Sequence, residues 1–399
     1  MARDLNRDFE TDILIAGAGP AGLAAACVLG AEGHRVTLVD PAVPAAEDGP
    51  AADLRTAALL QPARHLLAEA GAWDGLSDEA TPLQVMRIVD ASVGPSISRD
   101  FDAADISDAP FGWNLPNDTI RRALTERVEA MENVDTRFGT SVVTFLGREA
   151  EARVGLSDGT RLTARLVVAC DGKGSPLRRM AGIGARRVDY GQTAIVFAVA
   201  HDAPHEGIST EIHRNGGPFT LVPLPDRDGA HRSSIVWLDE ARMQARRMEL
   251  DDDAFAAEAQ ERSGDVLGAL RLVSGRAAWP IASVLAERWT ARRLALAAEA
   301  AHAMPPIGAQ GLNTSLADVA ALRDLCREYE PGSEAMLSAY ARSRAPAVAM
   351  RMAGIDLLNR SSIAGLGLVQ TLRGAGIAAL HDLPPLRRAV MRLGLGTPG

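Results

Sequence analysis

Gly17-Ala18-Gly19-Pro20-Ala21-Gly22 is the stretch that decides the fold. Before it, Thr11 to Ala16 is a short apolar run rich in Ile and Leu, which predicts a buried strand. After it, Ala21 to Glu32 predicts a helix, broken at Gly33 and His34, and Arg35 to Val39 predicts a second strand that ends on Asp40. Strand, glycine turn, helix and strand within about 30 residues make a βαβ unit. A lone G-x-G-x-x-G is weak evidence, but in this setting it is a dinucleotide-binding fingerprint. Gly17 permits the tight turn, Gly19 lets the backbone approach a pyrophosphate, and Gly22 lets the helix pack close to the sheet. The helix N-terminus supplies free N–H groups and partial positive charge for the phosphates. Asp40 is placed to accept hydrogen bonds from an adenosine ribose.

The rest of the chain bounds the possibilities. At 399 residues it is too long for one core and predicts two domains with a helical appendix. Its 42 Lys plus Arg against 51 Asp plus Glu leave a net charge of -9, which argues against nucleic acid as a partner. Cys27, Cys170 and Cys326 are far apart and set in apolar runs, with neither metal spacing nor a disulfide framework, so they read as free thiols and no metal is expected. Met1 to Glu10 is polar and unlike a signal peptide, and no apolar run reaches the ~20 residues that span a bilayer. The expected location is cytoplasmic, or peripheral on the inner face of the membrane.

Further along, Leu54 to Ala70 has helical spacing, Leu83 to Val89 reads as a strand, and Asn117 with Asp118 reads as the cap of a helix Thr119 to Met131. Thr140 to Ala169 is strand-rich with a turn at Ser157-Asp158-Gly159-Thr160. Gln192 to Val199, Phe219 to Val222 and Ser233 to Trp237 predict a separate, mostly antiparallel layer, and from Gly311 onward the chain reads as helical. The fold class is therefore α/β: a Rossmann-like nucleotide domain (1–82, 112–186 and 285–345), an inserted antiparallel substrate domain (83–111 and 187–284) and a helical C-terminal region (346–399). Gly374-Ala375-Gly376-Ile377-Ala378-Ala379 mimics the fingerprint but lacks a preceding strand and a following acid, so it reads as a helix-tail turn.

Three more segments separate FAD from NAD. Leu166 to Gly172 is a strand ending in Asp171-Gly172, with Ser175 and Arg178 after it. Ala298-Glu299-Ala300-Ala301-His302 leads into Pro305-Pro306-Ile307-Gly308-Ala309-Gln310-Gly311-Leu312-Asn313. Asp53-Leu54-Arg55-Thr56-Ala57-Ala58-Leu59 opens the helix predicted after the βαβ unit. With these, the chain resembles the FAD monooxygenases related to para-hydroxybenzoate hydroxylase, and among them the ubiquinone-biosynthesis hydroxylases. The resemblance runs from about Asp12 to Gly396. Tyr190 to Ala194, Gly217 to Leu224, Pro306 to Asn313 and Asp356 to Arg360 carry the likeness to that subgroup.

The resemblance implies roles residue by residue. Asp171-Gly172 lies near both FAD and the nicotinamide path. Ala298-Glu299 stands where the family has Gly-Asp, whose acid binds the ribityl chain, so Glu299 takes that role and Ala298 replaces a residue suited to positive φ. Arg55 lies over the cofactor and Asn117 begins the next helix. Gly311, Leu312 and Asn313 start a helix whose N–H groups stabilise negative charge on the flavin. The implied reaction uses NAD(P)H to reduce FAD, then O2, then attack of an electron-rich phenol on a flavin hydroperoxide. The chemistry is flavin-centred, so no side-chain nucleophile is nominated. Tyr190, Gln192, His302 and Pro306 are candidates near the reaction, with a structural or cofactor-packing role favoured for His302. No clamp for a benzoate carboxylate stands out, so the expected substrate is a prenylated phenol of ubiquinone biosynthesis. A soluble aromatic substrate and a catalytically weak flavoprotein within a quinone-biosynthesis assembly are the alternatives. The tail Ser361 to Gly399 mixes apolar residues with Arg373, Arg387, Arg388 and Arg392, which reads as a helical cap with a basic face or a surface that docks a membrane or partner.

Overall fold

The computed structural model describes residues 10–44, 53–91, 96–214, 216–363 and 381–395. The strand Thr11–Ala16 lies at the centre of an eight-stranded sheet, with Ile13, Leu14 and Ile15 wholly buried. It pairs in parallel with Val36–Asp40 on one side and with Arg161–Ala169 on the other. Val134–Phe138 extends the first side and Leu294–Leu296 the second, both in parallel. Burial on both faces explains why these strands are continuous apolar runs rather than alternating ones. The helix Pro20–Ala31 is buried along nearly its whole length, which its Ala and Gly residues allow by letting neighbours approach closely.

A nine-stranded sheet forms the second layer. Its order is His302–Ala303, Ala277–Ala286, Ala185–His201, Ala230–Glu240, Gly217–Arg227, Ile208–Arg214, Val85–Asp90 and Ile97–Asp102, with Leu270–Leu272 beside Ala185–His201. It is antiparallel except where Ile208–Arg214 meets Val85–Asp90. Side chains alternate between its faces. Ile195, Phe197, Phe219, Ile235 and Trp237 pack on one face against Phe255 and Ala259 of the helix Asp252–Ser263. Ala194, Leu238 and Ile281, with Tyr190 and Val236, form a smaller apolar cluster of their own. A three-stranded sheet, Thr56–Leu60, Gly112–Pro116 and Thr81–Leu83, reaches this layer where Asn114 Nδ2 donates to the Pro223 carbonyl at 2.8 Å.

Two local expectations are corrected. Leu54 to Ala70 is not one helix: Thr56–Leu60 is a strand paired antiparallel with Gly112–Pro116, and the helix is Gln61–Glu69. Pro62 is the reason for the late start, since a proline without an N–H fits the first turn of a helix and not its interior. Asn117 and Asp118 do not cap their helix, which runs Asn117–Glu129 and begins after Pro116. Their side chains serve Asp53 instead.

The C-terminal region is helical as expected, with Gln310–Glu328, Glu334–Ile363 and Pro384–Leu395. Met391 of the last helix packs with Leu60, Ala103 and Phe111. The segment Gly374 to Ala379 lies outside the described residues. Among the described residues no helix is long and apolar enough to cross a membrane.

Candidate active site

The glycine turn sits at the carboxyl end of the central strand, where the neighbouring strands diverge in chain order. A Cβ on Gly17 would lie 2.3 Å from the Cys170 carbonyl oxygen, and one on Gly22 would lie 1.8 Å from the Gly17 carbonyl oxygen. These two glycines are required by the packing of the protein on itself. Gly19 differs, because a Cβ there would meet nothing within 4 Å. The helix behind it has no side-chain cap and no acid in its first turn, so its N–H groups stay available to an anion. Asp40 accepts the Ala18 N–H at 2.6 Å on one oxygen and the Ala42 N–H at 2.7 Å on the other. Each oxygen retains a lone pair for a ribose hydroxyl.

Asp171 follows the strand Arg161–Ala169, which Cys170 N–H ties to the Ala16 carbonyl at 2.8 Å. One Asp171 oxygen accepts the Leu177 N–H at 3.0 Å, while the other is buried without a hydrogen-bond partner. Burial pushes this carboxyl up from its ordinary range. Gly172 beside it has φ +82°. Arg178 bridges this segment to the next, donating to the Ala300 carbonyl at 2.6 Å and the Lys173 carbonyl at 2.8 Å. Ala298 takes φ +53°, the left-handed conformation that glycine adopts freely. Glu299 after it is half-exposed, with its carboxylate 3.7 Å from Lys173 Nζ.

Arg55 is held by Asp53 through two bonds of 2.7 Å and stacks over Trp279 at 5.2 Å from the ring centroid. Asn117 Nδ2 donates to the same Asp53 at 3.0 Å. Burial alone would push the Asp53 carboxyl up, but the Arg55 guanidinium and the Asn117 amide hold it below its usual range. The loop after Pro305 places Pro306 in solvent, buries Ile307 and turns through Gly308 into the uncapped helix Gln310–Glu328, with Gly311 exposed in its first turn. The Asn313 side chain is spent on backbone: it accepts the Leu60 N–H at 2.9 Å and donates to the Ala58 and Ala309 carbonyls, each at 2.7 Å. Leu312 next to it is half-buried.

His302 is buried, lies 2.7 Å from Asp318 Oδ2 and stacks on Trp289, which makes it part of the internal scaffold. Tyr190 donates to Asp356 at 2.7 Å and stands 2.9 Å from Ser283 Oγ. Gln192 accepts from Asn359 at 3.1 Å, while Gln192 Nε2 and Asn359 Oδ1 have no hydrogen-bond partner. Tyr190 and Gln192 therefore meet the helix Glu334–Ile363 rather than the glycine turn. Lys173, Trp279, Asp318 and Arg344 were missed by the sequence reading, while Asp53, Asp356 and Asn359 entered only within quoted segments and were given no role. Among the four that were missed, Asp318 carried a local signal, a carboxylate set among Leu316, Val319 and Leu322 on a helical run. No cluster of metal-ligating side chains occurs among the described residues.

An open cradle at Gly19, two uncapped helix N-termini and an orphaned Asp171 oxygen fit a dinucleotide with a pyrophosphate and ribose hydroxyls. The family model for the FAD binding domain matches residues 10–353. The chain belongs to this family. Ubiquinone hydroxylase UbiL of Rhodospirillum rubrum is 34% identical to it, over 98% of this chain and 90% of that protein. The 3-demethoxyubiquinol 3-hydroxylase of Escherichia coli is 27% identical, over 97% of this chain and 98% of that protein. Among solved structures, p-nitrophenol 4-monooxygenase of Pseudomonas putida superposes with a TM-score of 0.79, covering 98% of this chain and 99% of that one at 19% identity, which shows the shared fold. The protein is an FAD-dependent hydroxylase. Bound FAD supplies the redox and oxygen chemistry. Gly19 and the first turn of Pro20–Ala31 suit its pyrophosphate, and Asp40 suits its ribose.

Proposed function

We propose that this chain hydroxylates the aromatic ring of a prenylated phenol in ubiquinone biosynthesis, with NAD(P)H and O2 as co-substrates. The observation that carries this proposal is the 34% identity to a ubiquinone hydroxylase over 98% of the chain, which takes in the nine-stranded sheet as well as the cofactor cradle. In this proposal the buried apolar cluster of Ala194, Leu238 and Ile281, with Tyr190 and Val236, borders the ring and its tail. Each tail methylene buried there contributes ~0.8 kcal/mol. In this proposal Glu299 holds the ribityl chain and Arg55 lies over the cofactor. Asp171-Gly172 borders the nicotinamide path, and the N–H groups at Gly311, Leu312 and Asn313 meet charge on the reduced ring. The division into a nucleotide domain (1–82, 112–186 and 285–345), a substrate domain (83–111 and 187–284) and a tail (346–399) belongs to the same proposal.

A prenylated substrate sits in lipid, and the helix Pro384–Leu395 supports contact with it. Leu386 and Val390 are exposed on this helix, as is Leu383 just before it, and Arg388 is exposed beside them. We assign this face to the inner membrane surface. Co-sedimentation with anionic vesicles should fall in the double variant Leu386→Ser/Val390→Ser, and equal binding refutes the assignment.

The test of the activity measures NAD(P)H oxidation by the purified holoenzyme, with mass spectrometry of the product. A prenylated phenol should stimulate oxidation and gain one oxygen atom. Stimulation by tail-free phenols alone would favour a soluble aromatic substrate. Oxidation that no phenol stimulates would favour a flavoprotein that serves as a partner in a quinone-biosynthesis assembly. A deletion strain should accumulate an under-hydroxylated prenylphenol.

A further inference from the structure

Two alanines beside the cofactor cradle take the left-handed backbone conformation, Ala298 at φ +53° and Ala309 at φ +56°. Residues with a Cβ reach that region at a cost, so each turn needs a group that holds it. The helix Gln310–Glu328 supplies both. Asn313 takes the Ala309 carbonyl at 2.7 Å. Asp318, one and a half turns further along the same helix, accepts the Ala298 N–H at 3.0 Å.

Asp318 is itself fixed from several sides. The oxygen that meets Ala298 also lies 2.7 Å from His302 Nε2, and the His302 ring is stacked on Trp289. The other oxygen accepts the Arg344 Nε–H at 2.7 Å. Arg344 comes from the helix Glu334–Ile363 and its Nη2 also donates to the Thr314 carbonyl at 3.2 Å, which fastens the guanidinium to the helix that carries Asp318. The carboxylate is wholly buried. A buried charge with an arginine partner and further hydrogen bonds has little freedom to move, so the Ala298 N–H is met in one place.

We infer that Asp318 is a positioning residue for FAD: it holds Ala298 in the left-handed turn from which Glu299 projects, with His302 and Arg344 as its braces. The inference rests on the assignment of Glu299 to the cofactor. An alanine stands where the resembled motif has glycine, so this chain depends on the brace more than a glycine-bearing turn would. Glycine reaches positive φ without strain, so Ala298→Gly should make the brace dispensable.

The experiment is a double-mutant cycle on FAD affinity, measured by titrating FAD into the full-length apo-protein, with apo melting temperature recorded alongside. Asp318→Asn should weaken FAD binding about tenfold relative to the parent. Asp318→Asn/Ala298→Gly should bind within about threefold of Ala298→Gly. A merely structural role would lower the apo melting temperature in both backgrounds and leave the affinity ratio the same in both, which would overturn the inference. So would unchanged affinity in Asp318→Asn. If Asp318→Asn fails to fold, Asp318→Glu is read through the same cycle, since it keeps the charge but displaces the carboxylate by a methylene. Glu299→Ala tests the assignment beneath: unchanged affinity there overturns the role of Glu299, while the Ala298 cycle still decides Asp318.

Discussion

Gly19 and Gly22 stand three residues apart and serve different purposes. Gly19→Val places its side chain in open space, so the apo-protein should keep its melting temperature while the purified protein loses its yellow colour. Full flavin content in that variant would refute the pyrophosphate assignment. Gly22→Ala drives a methyl group into the Gly17 carbonyl, so the fold itself should lose about 3 kcal/mol in urea denaturation. Asp171 gives a pH test. Burial raises its carboxyl, so the folded protein holds that proton more tightly than the unfolded chain does. Its contribution is therefore favourable at low pH and is lost as pH rises from about 4 through the raised value. Asp171→Asn removes the titration. The apo-variant's melting temperature relative to the parent should accordingly be higher at about pH 7 than at about pH 4. An equal difference at both would show that the buried oxygen carries no such penalty. The fingerprint glycines and Asp40 were legible in the sequence because the strand, turn, helix and strand that bring them together are contiguous in the chain, and Asp171 was legible through the motif it opens. Asp53 was quoted beside Arg55, but its role was not legible, since its other partners Asn117 and Asp118 lie 64 and 65 residues further along.

At the scale of elements, the helix Gln310–Glu328 is the organiser of the site. Asn313 joins it to the strand Thr56–Leu60 across a gap of 253 residues in sequence. Asn313→Ala leaves the Leu60 N–H and the Ala58 and Ala309 carbonyls short of a partner, so stability should fall by about 2–4 kcal/mol. Urea denaturation of the apo-protein measures this, and a loss below about 1 kcal/mol would mean that water replaces the amide. The same strand was misread as helix. Ala57, Ala58, Leu59 and Leu60 fit a helical face and a buried strand equally well, and only pairing with Gly112–Pro116 decides between them. By contrast, Thr11–Ala16, Pro20–Ala31 and Val36–Asp40 were legible, because turn chemistry and periodicity agreed over the whole unit.

For the whole molecule, the candidate FAD residues lie at the ends of strands and helices from residue 17 to residue 313, so the bound cofactor joins parts of the chain that are remote in sequence. FAD binds the native state and not the unfolded chain, so free FAD at a hundred times its Kd should stabilise the protein by about 2.7 kcal/mol. Removing FAD should lower the melting temperature, and adding it back should restore it. A melting temperature independent of FAD concentration would place the cofactor outside the cooperative fold.

The sequence by itself determined the βαβ unit and the layer of strands, because each is written in local spacing: glycines at fixed offsets and apolar runs; its longer motifs carried the resemblance to the family. Tertiary structure alone decided which side chains hold the site together. Asp318 meets Ala298 from 20 residues away and Arg344 from 26. Tyr190 meets Asp356 from 166. A hydrogen bond of 2.7–3.0 Å between groups so far apart depends on the register and packing of every element between them, which no local pattern records.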